Sequence, residues 1–268
     1  MSISIKDVIN NTNYTTIQPQ NKEELKKIIK DTIKKEGLEC DLNFIDTSLI
    51  KDMSYLFCDN EKFNCDISEW NVSNVRSMNS MFSNSNFNQD ISKWDVSRVE
   101  DMSGMFSYNE KFNGDISKWD VSGVKDMSCM FLNNKDFNQD ISKWDVSNVK
   151  DMSFMFRYSI FNQDISEWDV SNVEDMFCMF CNSNFNQDIS KWDVSRVKNM
   201  SYMFQFNSNF NQDISEWDVS RVKNISYMFH GSNFNKDISK WDVSNVKNYK
   251  DIFKNCPIKE SYKPIFKN

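Results

Sequence analysis

Residues 87–106 run Phe-Asn-Gln-Asp-Ile-Ser-Lys-Trp-Asp-Val-Ser-Arg-Val-Glu-Asp-Met-Ser-Gly-Met-Phe, and close copies of this stretch recur along most of the chain. The tryptophan of each copy marks the period. Successive tryptophans are 24 or 25 residues apart, and all eight fall in register, at Trp70, Trp94, Trp119, Trp144, Trp168, Trp192, Trp217 and Trp241. A constant period of this length is the signature of a repeat protein, in which each unit buries its apolar face against its neighbours.

Within one repeat, the apolar residues follow two different periods. Trp94 and Val96 alternate with polar residues, which predicts a very short strand. From Val99 to Met105 the apolar residues stand three apart, which is typical of one face of a short helix. Ser97 lies where a helix N-cap belongs. The sequence therefore predicts an α/β unit made of strand, cap, helix and loop.

Such a unit is too small to fold alone, because its few buried side chains do not offset the conformational entropy of about 25 residues. Stacked copies would pair their strands in parallel, at about 4.8 Å, and bury both faces. We therefore expect a right-handed solenoid of short parallel strands and short helices, with the tryptophans in one interior column.

The repeat resembles that of the BspA-like leucine-rich-repeat surface proteins, over residues 45–253. Its order Ile-x-x-Trp-x-Val-x-x-Val is similar to the Leu-x-x-Leu-x-Leu core of leucine-rich repeats. The resemblance implies a leucine-rich-repeat-like solenoid with its strands on one side. It also implies a surface or adhesin-like binding protein, since no enzymatic activity is associated with this repeat.

The two ends depart from the repeat and predict caps. Asn21 as N-cap, an apolar face of leucine and isoleucine, and Gly37 as the stop predict an N-terminal capping helix. We divide the chain into a poorly defined N-terminal segment, the capping helix with its lead-in, the repeats (a partial first unit and eight tryptophan units), and a C-terminal cap. Their bounds are 1–20, 21–44, 45–253 and 254–268.

Charge and hydropathy narrow the classes of partner. The chain has 32 basic and 39 acidic residues, a net charge of -7, which argues against nucleic acid. No window approaches the roughly 18 apolar residues of a membrane span, so we expect no membrane insertion. The first residues lack a basic stretch followed by an apolar one, which predicts a cytoplasmic location. We also expect a monomer. The family resemblance makes the cell surface the alternative.

Cysteines and histidine give no pattern for a cofactor or a metal. The seven cysteines are an odd number at irregular spacings, which favours reduced thiols. Cys178 and Cys181 form a Cys-x-x-Cys, but in positions that vary freely between repeats. His230 has no companion ligands. Repetition supplies no unique constellation of acid, base or nucleophile, so we expect neither an enzyme nor a catalytic residue, metal or cofactor.

A row of aspartates follows the tryptophans, and it is one candidate partner-binding surface. Three interpretations stay open: acceptance of hydrogen bonds from backbone or serine within each turn, Ca²⁺ binding between coils, or simple solvation. The candidate residues of this row are Asp95, Asp120, Asp145, Asp169, Asp193 and Asp218.

A second candidate surface comes from the slot two residues after the first methionine, which varies between repeats. It holds Ser80, Gly104 and Cys129 in the first half of the chain and mostly aromatic residues in the second. The alternatives are scattered, partly covered side chains or one exposed aromatic patch. The patch would contain Phe154, Tyr202 and Tyr227 from this slot, with the neighbouring Phe177 and Phe206.

The function that follows from these observations is a non-catalytic protein–protein interaction scaffold. We expect a protein partner, and a glycan is possible. The alternative is a surface-displayed adhesin or glycan-binding protein exported by a route that the sequence does not reveal.

Overall fold

A computed structural model describes residues 16–266 of the chain, so residues 1–15 of the predicted N-terminal segment and the last two residues of the predicted C-terminal cap lie outside it. Within residues 16–266 the helices are α1, Lys22–Glu36, and one short 3₁₀-helix, Glu260–Tyr262. In the same range, β-pairing is limited to isolated parallel bridges, with no named strand and no sheet. The predicted solenoid of short strands and short helices is therefore wrong, although the stacking of repeats that motivated it is present.

Tight turns replace the predicted strand and helix in every repeat. Trp94, Val99 and Met105 each donate a backbone hydrogen bond to the carbonyl three residues earlier, at 3.1, 2.9 and 3.1 Å. Such bonds close four-residue turns, whereas an α-helix needs bonds over four residues. The apolar spacing of three thus marks the first and last residues of successive turns. It imitates a helical stripe because both patterns bring every third side chain to one side.

Aspartate side chains hold these turns. Asp95 Oδ1 accepts the Ser97 backbone N–H at 3.1 Å and the Ser97 hydroxyl at 2.6 Å. Ser97 is therefore a turn residue, and its prediction as a helix N-cap is wrong. The same N–H bond from the serine two residues later is found at all six candidate aspartates of this row, which confirms the interpretation of the row as turn acceptors.

Left-handed backbone explains why no helix propagates. Each repeat places two residues, four positions apart, at φ between about 50° and 70°; in one repeat these are Gly104 (φ 62°) and Tyr108 (φ 54°). An L-residue in this region interrupts a right-handed helix, at a cost of roughly 1–2 kcal/mol. Aspartates, asparagines, tyrosines and cysteines occupy these positions in other repeats. The left-handed positions therefore cannot be recognised in the sequence from a recurring glycine.

Neighbouring repeats are joined by backbone hydrogen bonds. Met102, Gly104, Phe106 and Tyr108 each donate their N–H to a carbonyl of the next repeat, at 2.7 to 3.0 Å. Beside them runs a chain of single parallel bridges, such as that between Asp101 and Asp126. Each repeat therefore satisfies the backbone of its neighbour, as a stack requires.

The core consists of columns of identical side chains. Each tryptophan is buried and donates its indole Nε1–H to an isoleucine or leucine carbonyl of the preceding repeat; Trp144, for example, bonds Ile116 at 3.0 Å. Phe131 is fully buried and stacks on Phe137 at 4.0 Å and on Phe156 of the next repeat at 5.7 Å. The predicted interior column of tryptophans is confirmed, and a double column of phenylalanines lies beside it.

An asparagine ladder runs along the outside of the stack. The Oδ1 atom of each ladder residue accepts the backbone N–H of the equivalent residue one repeat later, as from Asn113 to Asn88 at 3.0 Å. The ladder continues to Lys259 at the C-terminal end. The asparagines that accept this bond are Asn64, Asn88, Asn113, Asn138, Asn162, Asn186, Asn211 and Asn235.

The one-residue difference between repeats lies in the loop between two core phenylalanines, and a buried polar residue accommodates it. Loops with a spacing of six residues carry an asparagine such as Asn134, whose Oδ1 accepts the N–H of Asp136 and Phe137 at 3.0 and 2.8 Å. Loops with a spacing of five carry a serine such as Ser159, whose hydroxyl accepts one N–H, that of Phe161, at 3.0 Å. Loop length and residue type are therefore coupled.

This coupling gives a first prediction. We expect Asn134→Ser to lower the free energy of unfolding by about 2 kcal/mol, because one hydroxyl leaves a buried N–H unpaired. Deleting Lys135 in the same variant restores the five-residue geometry of the Ser159 loop and should recover most of the loss. Urea unfolding of the three proteins measures this. A deletion variant no more stable than Asn134→Ser would contradict the coupling.

Both ends of the stack are covered. In α1, Asn21 Oδ1 accepts the Glu24 N–H at 3.0 Å, Gly37 lies at φ 93°, and Leu25 and Ile29 are buried in the core. The predicted helix and both of its termini are confirmed. At the other end, Ile258 is buried against the last repeat.

Candidate functional site

Four aromatic side chains from successive repeats touch one another on the outside of the stack. We call Phe154, Phe177, Tyr202 and Tyr227 the aromatic ladder. Their ring centroids are 4.7, 5.6 and 4.8 Å apart in that order; the first two contacts are edge-to-face and the last is stacked. All four side chains are partly exposed. The structure thus brings these four predicted patch residues together rather than scattering them.

The ladder does not lie on the short helix that the apolar spacing predicts for each repeat. Phe154, Tyr202 and Tyr227 lie instead in the first left-handed position of their repeats, at φ 60°, 62° and 58°. Ser80 occupies the same slot at φ 51°. The backbone conformation is therefore a property of the repeat, and the fold does not require an aromatic side chain there.

Cations cap both ends of the aromatic ladder. The Arg157 guanidinium lies 5.5 Å from the ring centroid of Phe154, and the Lys250 ammonium lies 5.9 Å from that of Tyr227. These distances are within the range of cation–π attraction. Interaction with the Tyr227 hydroxyl raises the pKa of Lys250, and burial, followed by the influence of Tyr227, raises the pKa of Tyr202.

Phe206, the fifth predicted patch residue, joins the aromatic ladder through His230. Its ring is 48% exposed and lies 5.0 Å from the imidazole, which in turn lies 5.6 Å from Tyr227. A Cβ atom on Gly231 would approach the Phe206 ring to 2.4 Å, so this glycine provides the room that the ring occupies.

Sequence reasoning missed the polar side chains beside the aromatic ladder. Arg157, Cys181, Gln205 and His230 share one slot, three residues after the ladder slot. Cys181 Sγ contacts Gln205 Oε1 at 3.6 Å, and Gln205 Nε2 contacts His230 Nδ1 at 3.3 Å. The available signal was the variability of this slot, which parallels that of the aromatic slot.

The candidate aspartates form a separate exposed row in a different slot. Hydrogen bonds from the hydroxyl and then the N–H of the serine two residues later lower the pKa of Asp95, Asp145 and Asp193. Their carboxylates therefore already accept hydrogen bonds within their own turns. In residues 16–266 no group of three or more His, Cys, Asp or Glu side chains is arranged to hold a metal ion.

Both cysteines of the Cys-x-x-Cys are buried, and Cys178 occupies the ladder slot of its own repeat. A hydrogen bond from Cys178 lowers the pKa of Cys181, and one from Asn182 adds to this effect, although burial opposes the shift.

Among the helices of residues 16–266, none combines the length and the apolar character that a membrane span needs.

Comparison with known proteins identifies a repeat family. No curated protein and no solved structure matches the chain. A family model described as "Mycoplasma protein of unknown function, DUF285" matches three overlapping stretches, residues 23–126, 109–184 and 160–263. The match supports the tandem-repeat family predicted from the sequence, but not the leucine-rich-repeat family that the motif resembles. Because the matched stretches cover nearly all of the stacked repeats, the chain belongs to the DUF285 repeat family.

Proposed function

We propose that this protein is a non-catalytic scaffold that binds a protein partner through the aromatic ladder. The observation that carries this proposal is the unbroken contact between four partly exposed aromatic rings in slots that tolerate serine or glycine elsewhere. Aromatic and arginine side chains are enriched in protein interfaces and among the residues that dominate binding energy. Arg157 and the aromatic ladder together supply both kinds.

The ring geometry favours a protein over a glycan. Sugars stack on free aromatic faces, whereas Tyr202 and Tyr227 stack on each other at 17°, and cations lie over Phe154 and Tyr227. The ladder therefore has few free faces to offer a sugar ring. Glycan binding and display on the cell surface remain the alternative predicted from the sequence. The cytoplasmic location and the monomeric state remain the primary predictions for the scaffold.

The aspartate row supports binding less well than the aromatic ladder does. Its carboxylates accept hydrogen bonds from their own turns, so a partner would compete with the fold for them. A non-catalytic role is also in keeping with these turns, since the row presents the same arrangement in each repeat and no single reactive group.

The test compares three forms of the full chain as bait in extracts of the native organism. The ladder variant carries Phe154→Ser, Tyr202→Ser and Tyr227→Ser, and Ser80 shows that serine is compatible with this backbone. The control carries Tyr55→Ser, which removes a 58% exposed tyrosine in the same slot, at φ 57°, away from the ladder.

We expect one protein to be recovered by the wild type and the control but not by the ladder variant, and to bind again as a purified protein with at least tenfold weaker affinity for the variant. Near-ultraviolet circular dichroism confirms that the variant is folded. Equal binding by all three forms would refute the ladder as the site. If the wild type instead recovers a glycan, and glycosidase treatment of the extract abolishes that recovery, the result would favour the glycan-binding alternative.

A further inference from the structure

Two buried cysteines face each other at the junction between α1 and the repeats. Cys40 and Cys65 occupy the same slot of consecutive units, each directly before an aspartate. Their Sγ atoms are 2.7 Å apart, closer than the van der Waals contact of two thiols, and both residues are buried. The Cys65 thiol also contacts the Leu38 carbonyl at 3.2 Å.

Backbone hydrogen bonds hold the two cysteines side by side. Asp66 donates its N–H to the Cys40 carbonyl, and Leu42 donates its N–H to the Asp66 carbonyl, both at 2.9 Å. Asp41 and Asp66 form a parallel bridge. Paired chains of this kind lie about 4.8 Å apart, which is within the Cα separation of about 4.4–6.8 Å that a disulfide requires.

The same slot has a different occupant in most other repeats. There it holds a glutamine such as Gln89, whose Nε2 donates to the Asn64 carbonyl of the preceding repeat at 3.0 Å. Gln139, Gln187 and Gln212 make the equivalent bond. Cysteine therefore stands in place of the glutamine that makes this cross-repeat hydrogen bond. It does so at two consecutive positions and nowhere else in this slot.

We propose that Cys40 and Cys65 form a disulfide that joins the lead-in after α1 to the first tryptophan repeat. A low-molecular-weight disulfide, such as oxidised glutathione, is the oxidant. One cysteine thiolate attacks it and releases a first thiol; the second cysteine thiolate then attacks the mixed disulfide and releases the other. Two protein thiols lose two electrons and two protons, and one oxidised glutathione becomes two reduced molecules.

Burial controls the rate of this reaction. Burial raises the pKa of Cys40 to about 12 and also raises the pKa of Cys65, so little thiolate forms at neutral pH in the folded protein. Oxidation is expected to be slow in the native state and fast during folding. Once formed, the bond closes a loop of about 25 residues and should stabilise the N-terminal end.

Peptide mapping tests the proposal directly. The full chain is unfolded in urea, refolded in a buffer of oxidised and reduced glutathione, unfolded again under iodoacetamide and digested with trypsin. Cys40 and Cys65 are the only cysteines of their tryptic peptides, residues 36–51 and 63–76. We expect these two peptides to be cross-linked, and to separate on reduction.

The matched variants are Cys40→Ala and Cys65→Ala, with Cys129→Ser as the control. We expect oxidation to raise the thermal midpoint of the wild type and the control by about 5 to 10 °C, and to leave both alanine variants unchanged. The proposal is overturned if refolded wild type yields peptides 36–51 and 63–76 alkylated at both cysteines, joined to glutathione, or cross-linked to another cysteine.

Discussion

Phe131→Ala is expected to lower the free energy of unfolding of the full chain by about 3 to 5 kcal/mol. Phe131 is completely buried, and its ring contacts Phe137, across the following loop, at 4.0 Å. It also contacts the equivalent residues of the two adjacent repeats, Phe106 and Phe156, at 5.9 and 5.7 Å. Neighbouring repeats hold the cavity open because their backbones are hydrogen-bonded on both sides. One substitution thus weakens two interfaces between repeats as well as its own repeat.

Urea unfolding followed by tryptophan fluorescence measures this loss. The matched control is Tyr108→Ala, which removes a 51% exposed ring from a neighbouring repeat. Surface changes of this kind typically stay within about 0.5 kcal/mol. A loss below about 1 kcal/mol for Phe131→Ala would mean that the phenylalanine columns do not join the repeats.

Acid is expected to unfold the protein cooperatively below about pH 4. Hydrogen bonds from the backbone N–H, and then the hydroxyl, of the serine two residues later lower the pKa of five equivalent carboxyl groups: Asp90, Asp140, Asp164, Asp188 and Asp213. A lowered native pKa contributes stability above the unfolded value, and that contribution is lost as the pH falls through the native values. Each additional proton that the unfolded chain binds contributes a slope of about 1.4 kcal/mol per pH unit.

Asparagine provides the matched control, because it makes the same turn without a titratable group. Asn71 already replaces aspartate in the same kind of turn in the row that follows the tryptophans, where its Oδ1 accepts the Ser73 N–H at 3.1 Å. We expect a variant with Asp90→Asn, Asp140→Asn and Asp188→Asn to match the wild type at pH 7 and to unfold at a lower pH. Circular dichroism between pH 7 and pH 2 measures both midpoints. Identical midpoints would show that these turns do not stabilise the protein electrostatically.

The repeat period predicts the stacking but not the local backbone. Trp94 and its equivalents are large, apolar and in register, and only a stack buries all of them together. The spacing of Val99, Met102 and Met105 was interpreted as helical because a chain of four-residue turns gives the same pattern over two turns. The distinguishing features are Asp-x-Ser turns and left-handed residues, and tyrosine and cysteine in left-handed positions carry no recognisable sequence signal.

The aromatic ladder was predictable in its members but not in its connections. Variation between repeats identified Phe154, Tyr202 and Tyr227, since the stack does not constrain that slot. Phe177 lies one position before this slot, which Cys178 fills in the same repeat, and its contacts on both sides depend on the turn geometry. Arg157 and Lys250 lie in other slots, and the repeat pattern does not predict that they lie over the end rings.

The central claim is that equivalent residues of successive repeats lie in register along one stack. Lys93, Lys191 and Lys240 are exposed in the same slot, four and six repeats apart from Lys93. A ketone-bearing amino acid replaces two of these lysines at a time, and a nitroxide label is attached to each ketone. Pulsed electron–electron double resonance then measures the distance from position 93 to position 191 and from position 93 to position 240. Parallel chains at about 4.8 Å predict about 19 Å to position 191 and about 29 Å to position 240. Distances that do not increase with the number of intervening repeats would contradict the stack.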